Sequence, residues 1–182
     1  MTVDEFLVWA EGRQGRWELE DGQAMAMSPE RVLHARIKYY MQSALARAIR
    51  MAMVSCQMLP DGMTVRINAE MAFEPDALVH CGAALPDDAV EVRTPVIVVE
   101  VLSESTARRD HGTKLKGYFS LPSVQHYLII DADKKMIIHH KRGPGAPIET
   151  MIISAGVIQL DPPGLAVPVD DLFGDPADRP RE

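Results

Sequence analysis

The sequence predicts a single α/β (α+β) domain, a mixed β-sheet flanked by helices, with an N-terminal helix and β-hairpin. Three observations carry this prediction. Apolar residues recur at helical spacing through Leu33, Ile37, Met41, Leu45, Ile49 and Ala52, which marks one long core-facing helix. The run Pro95-Val-Ile-Val-Val-Glu-Val-Leu-Ser103 is β-branched and apolar almost throughout, the character of a strand covered on both faces. A second helical pattern, Thr106 to Phe119, separates that run from the strand-like segment His126–Asp131.

The elements follow in order. Thr2 with Glu5 three residues later has the spacing of a capping box and opens a helix over roughly 3–12. In RWELEDGQAMAMS, Trp17 and Leu19 alternate with Glu18 and Glu20, Asp21-Gly22 supplies a turn, and Met25 and Met27 continue the return strand. Ser28-Pro29-Glu30 breaks that strand and starts the long helix. Thr64–Ala69 and Ala77–His80 read as strands, separated by a stretch ending in Glu74-Pro75-Asp76. After the run at 96–102 comes the second helix, with Leu115, Tyr118 and Phe119 on its buried side, stopped by Leu121-Pro122-Ser123. His126–Asp131 and Met136–His140 predict a hairpin through Asp133-Lys134, and Thr150–Ser154 with Val157–Leu160 predict edge strands around Gly156. Leu165–Phe173 is expected to dock on the body, which gives one domain over 1–173 and a disordered Pro- and Asp-rich tail over 174–182.

Composition narrows the function classes. No apolar run is long enough to span a bilayer, and the N-terminus is acidic where an export signal is basic. Cys56 and Cys81 lie 25 residues apart without a framework pattern, so each is expected to be a small buried hydrophobe in a reducing cytoplasm. The net charge of −7 argues against indiscriminate coating of nucleic acid, although Arg31, Arg36, Lys38, Arg47 and Arg50 concentrate positive charge on the long helix. No glycine pattern cradles a nucleotide and no serine sits in a nucleophile elbow. The methionines are read as core filler or a dimer surface, and the His139-His140 doublet as one inward and one outward side chain.

Glu100 is the exception within its apolar strand, and a buried carboxylate must be paired, protonated or bound to a cation. It shares a face with Val98 and Leu102. If the strand after Asp76 is a neighbour, Asp76 and Glu100 meet at one sheet edge, where a hard divalent ion relieves their repulsion. Lys114 and Lys116 on the following helix are candidate partners, but they point about 200° apart, so only one reaches the site. The structural alternatives are a salt bridge from Glu100 to Arg66 and a surface pair between Asp110 and Lys114.

The segments WELEDG, SPERVLH, PDALV, VVEVLS and STARRDHGTKLKGY, followed by HYLIID, resemble the ordered motifs of the Uma-two family, described as putative restriction endonucleases, in the PD-(D/E)XK nuclease-like superfamily. The resemblance spans Thr2 to Asp131 and implies a restriction-endonuclease-like core. It places the family's acidic positions on Glu18, Asp76 and Glu100, its lysine on Lys114 and its histidine on His34. Leu102 stands where the superfamily's namesake motif carries lysine, so the resemblance passes that role to Lys114. It implies an endonuclease for DNA dependent on Mg²⁺ or Mn²⁺, with Asp76, Glu100 and Glu18 around the ion and Lys114 positioning the attacking water. His34, Arg108 and Arg109 are then expected as phosphate contacts, and a homodimer is expected for cutting two strands. The alternative is a catalytically idle nuclease-fold domain acting as a binding or dimerisation module.

Overall fold

Thr2 caps the first helix, α1 (Val3–Ala10), as its spacing directs: its side chain takes the Glu5 N–H while Glu5 reaches back to the Thr2 N–H. The structure, a computed structural model, describes residues 1–102, 111–145 and 147–174. α1 buries Val3 and Phe6 against Leu19 and Ala72. Leu19 lies in a hairpin of β1 (Trp17–Glu20) and β2 (Gln23–Ala26), whose turn residues Asp21 and Gly22 both have positive φ, 46° and 75°. A tight two-residue turn of this hand requires that conformation, hence Asp-Gly. β1 continues onto β5 (Ala72–Phe73) and β4 (Thr64–Arg66), and β4 runs parallel to β7 (Glu91–Val92) to complete a five-stranded sheet.

The larger sheet has six strands, in the order β11 (Ile148–Ile153), β10 (Met136–Arg142), β9 (His126–Asp131), β8 (Pro95–Val101), β6 (Ala77–Cys81) and β3 (Cys56–Pro60). Only β8 and β9 are parallel, and the chain between them carries α3 (His111–Ser120). On one face Ile97, Val99 and Val101 pack with Ala77, Leu128 and Ile130 against α2 (Val32–Ala52). That cluster extends to β12 (Val157–Leu160), β13 (Leu165–Pro168) and α4 (Val169–Phe173), so the expected docking of Leu165–Phe173 is present. On the other face Val98, Leu78 and Ile129 pack with Phe73, Tyr118 and Phe119, which joins α3 and the smaller sheet to the larger one. Each face of β8 is therefore covered, as a run apolar at every position but Glu100 demands.

Several expectations need correction. Cys56 and Cys81 form a disulfide, because the antiparallel register of β3 and β6 sets them directly opposite. Chain spacing could not show this without β3, and the cysteines no longer argue for a reducing compartment. β12 pairs with β13, not with β11, which instead adds to β10. His139 and His140 are both buried, since β10 has neighbours on both edges and packing on both faces. Met41 is core, whereas Met25, Met51 and Met53 are exposed. Of the second predicted helix, 106–110 lies outside the described residues, as does 175–182 of the expected tail.

α3 sits so close to the smaller sheet that a Cβ added at Gly117 meets Phe73 Cε2 at 2.7 Å, and that ring is held edge-on to Tyr118. Gly117→Ala should lose about 1–3 kcal/mol to overpacking, which exceeds or cancels its helix-propensity gain of about 1 kcal/mol. A lower melting temperature is expected, and a clearly more stable variant contradicts this packing.

Candidate active site

Glu18, Glu100 and Lys114 come from three elements and meet at one atom. Lys114 Nζ lies 2.9 Å from Glu18 Oε1 and 2.9 Å from Glu100 Oε1. Glu18 is delivered by β1, where its oxygen also accepts the Glu74 N–H at 2.9 Å. Glu100 is delivered by β8 on the face that α3 covers, and Lys114 by α3 itself. Four residues further along α3, one turn on the same side, Tyr118 donates its hydroxyl to Glu100 Oε1 at 2.8 Å. Lys114 also stands 5.6 Å from the centre of the Phe73 ring. Its neighbour Lys116 is exposed. Leu102, at the superfamily's lysine position, packs in the apolar cluster beneath α3, and its N–H bonds Ile130.

Asp76 enters beside this group through the β6–β8 register, which sets Ala77 opposite Val99. Its Oδ2 accepts the Val101 N–H at 2.7 Å. Three side chains one turn apart on α2 then grip it. His34 Nε2 stands 3.5 Å from Oδ2, Lys38 Nζ 3.4 Å from Oδ1, and Gln42 Nε2 bonds the backbone carbonyl at 2.9 Å. Around them Lys38 also meets Glu30 and Asp61, and Arg16 meets Glu30, Asp61 and Glu74. The Arg66 alternative for Glu100 is removed, since Arg66 pairs with Asp4 and Glu91.

The electrostatics follow from burial. Glu100 is pushed up to about 7: burial raises it most, the Lys114 ammonium opposes this, and the Asp76 and Glu18 charges raise it further. Burial drives Lys114 toward deprotonation, but Glu100 and Glu18 outweigh it and hold its pKa above the ordinary lysine value. Lys114 is therefore an ammonium throughout the working pH range. Burial also raises Asp76, yet bonds from His34 and Val101 with the Lys38 charge hold it below the usual value. Burial first, then the Glu100 charge, carries Tyr118 well above an ordinary phenol, so it remains a donor.

A divalent cation fits these residues. Glu18, Glu30, Asp61, Glu74, Asp76 and Glu100 outnumber Arg16, Lys38 and Lys114, which leaves excess negative charge among the described residues. The bonds from Lys114 and Tyr118 fall on one oxygen of Glu100, Oε1. Carboxylate oxygens suit Mg²⁺ and Mn²⁺, and the imidazole of His34 is compatible with Mn²⁺.

The structure thus brings Glu18, Asp76, Glu100 and Lys114 together and sets His34 against Asp76; Arg108 and Arg109 lie outside the described residues. Sequence reasoning missed Tyr118, Lys38, Gln42, Arg16, Glu30, Asp61 and Glu74. The four-residue steps from His34 to Lys38 and Gln42, one polar stripe on the long helix, were the available signal, as was the four-residue step from Lys114 to Tyr118.

The mixed sheets flanked by helices are those of a domain of the restriction-endonuclease-like class. The chain belongs to the Uma2 family, described as "Putative restriction endonuclease", whose profile matches residues 3–169. It is similar to the "Uncharacterized protein slr1290" of Synechocystis sp., with 26% identity over 183 residues, covering 95% of this chain and 91% of that protein. Its fold matches that of a crystal structure of "a putative nuclease belonging to DUF820" from Anabaena variabilis, with a TM-score of 0.75 and 17% identity, covering 95% of this chain and 97% of the other.

The carboxyl of Glu100 gives a direct check in the metal-free protein. Its folded value of about 7 lies above the ordinary 4.5, so the folded chain holds this proton more tightly than the unfolded chain. The stability it contributes is full below the unfolded value and is lost as the pH rises through about 7. NMR of glutamate-labelled protein should show one carboxyl titrating near 7, moved up by Lys114→Met and down by Glu18→Gln. A midpoint near 4.5 contradicts the burial described.

Proposed function

We propose that the protein is a metal-dependent endonuclease that hydrolyses DNA phosphodiester bonds. The observation that carries the reading is Lys114, buried between Glu18 and Glu100 beside Asp76. Asp76 and Glu100 would hold Mg²⁺ or Mn²⁺, with Glu18 completing the acidic group through Lys114. The ion, when bound, supplies positive charge beside the scissile phosphate and lowers the pKa of water. Lys114 serves as a fixed ammonium that orients water and meets charge developing on phosphate oxygens, because a lysine held protonated by two carboxylates cannot act as a base. Tyr118 keeps Glu100 in position through its hydroxyl. His34 orients Asp76 in this arrangement, which makes it a poorer phosphate contact than its place near the start of α2 suggested.

Arg108 and Arg109 are proposed to position the DNA backbone. Cleavage of both strands calls for a symmetric pair of chains, and a DNA substrate accords with a cytoplasmic location. Among the described residues no helix is long and apolar enough to cross a membrane.

Nicking of supercoiled plasmid in Mn²⁺ tests the reading. Glu100→Ala should abolish Mn²⁺ binding by calorimetry, and Lys114→Met should cut the nicking rate by about 10²–10³-fold. Nicking that persists in both variants belongs to a contaminant and overturns the assignment. A parent protein that binds Mn²⁺ but never nicks favours the idle binding or dimerisation module.

A further inference from the structure

Lys38 has no part in the chemistry above, yet it is placed with unusual care. Its side chain is only 6% exposed, and Nζ lies 2.5 Å from Glu30 Oε1, 2.7 Å from Asp61 Oδ2 and 3.4 Å from Asp76 Oδ1. Three carboxylates from three segments converge on it: the approach to α2, the turn after β3 and the entry to β6. An ammonium has three donors and no acceptor; two of them bond Glu30 and Asp61, and Asp76 adds a charge contact. Burial pulls the Lys38 pKa down, but the bonds it donates to Asp61 and Glu30 reverse this and keep it charged.

The same place carries the donor set of a cation site. One ligand atom each from Glu30, His34 and Asp76 lie within 4.8 Å of one another. Asp76 is divided between two duties. Its Oδ2 is anchored on the Val101 N–H next to Glu100, while Oδ1 faces Lys38. A second divalent ion held by Glu30, His34 and Asp76 would stand against the fixed ammonium, and a partly buried site screens that repulsion poorly.

We propose that Lys38 is a built-in cation standing in the position of a second divalent ion beside Asp76, so that the site takes a single Mg²⁺ or Mn²⁺. The inference rests on reading Asp76 and Glu100 as metal ligands, and it deepens that reading. A two-ion site clamps both the attacking and the leaving oxygen. Here the exchangeable ion serves the Glu100 side of Asp76, Lys38 neutralises the outer side, and Lys114 supplies the remaining positive charge. Lys38 is thus a positioning residue, acting on substrate only through Asp76.

The test is the Mn²⁺ stoichiometry of the full chain by titration calorimetry, for the parent and for Lys38→Ala. The expected result is one ion per chain in the parent and two in the variant, where Glu30, Asp61, Asp76 and His34 surround a vacated cation position. Should Lys38→Ala be unfolded without metal, folding on addition of Mn²⁺, read by circular dichroism, is the equivalent supporting result; failure to fold at saturating Mn²⁺ counts against the proposal. One ion on both proteins, or two on the parent, overturns the role of Lys38 while leaving Asp76 and Glu100 as ligands. No ion on the parent removes the metal reading itself.

Discussion

A single buried ammonium ties the two sheets of this protein together at the candidate site. Lys114 reaches from α3 to Glu18 of the smaller sheet and to Glu100 of the larger one. Removing one partner of such a group leaves the others buried and uncompensated, at a cost of about 3–5 kcal/mol. The apolar packing of Tyr118, Phe119 and Phe73 determines where α3 lies, and so where the ammonium lies. Stability and site geometry therefore share the same contacts. Glu100 softens the constraint, because a carboxyl with a value near 7 can take up a proton when its partner is lost.

Lys114 reaches the Glu100 carboxylate from a helix, not from the strand that carries Glu100. Position 102 is filled by leucine, which adds to the core beneath α3. The chain between the parallel strands β8 and β9 lays α3 on the face that Glu100 occupies, and Lys114 and Tyr118, one turn apart, both arrive at Oε1. A helix presents two groups at this spacing on one side, where a strand presents alternate residues. The Tyr118 hydroxyl is thus a second donor on the same oxygen.

Much of this was legible in the residues. Glu100 stood out because an apolar strand offers few harmless reasons for a carboxylate, and Pro75-Asp76 became its neighbour once β6 and β8 paired. The capping box at Thr2, the Asp-Gly turn and the apolar stripe of α2 follow from local chemistry, so they could be read directly. What escaped was set by long-range register. β5 and β7 are two residues each, too short for a periodic signal, and β3 alternates weakly. Without β3, the pairing of Cys56 with Cys81 could not be foreseen. Lys38 was read as one of several surface cations, because its spacing from His34 and Gln42 acquires meaning only when Asp76 is placed beside them.

The proposed nuclease site requires Asp76 and Glu100 to share one divalent ion next to the Lys114 ammonium. Anomalous scattering from crystals grown with Mn²⁺ tests it most directly. One anomalous peak between the Asp76 and Glu100 carboxylates is expected, with Lys114 still bonded to Glu18. A peak confined to Glu30 and His34, or no peak at saturating Mn²⁺, contradicts it.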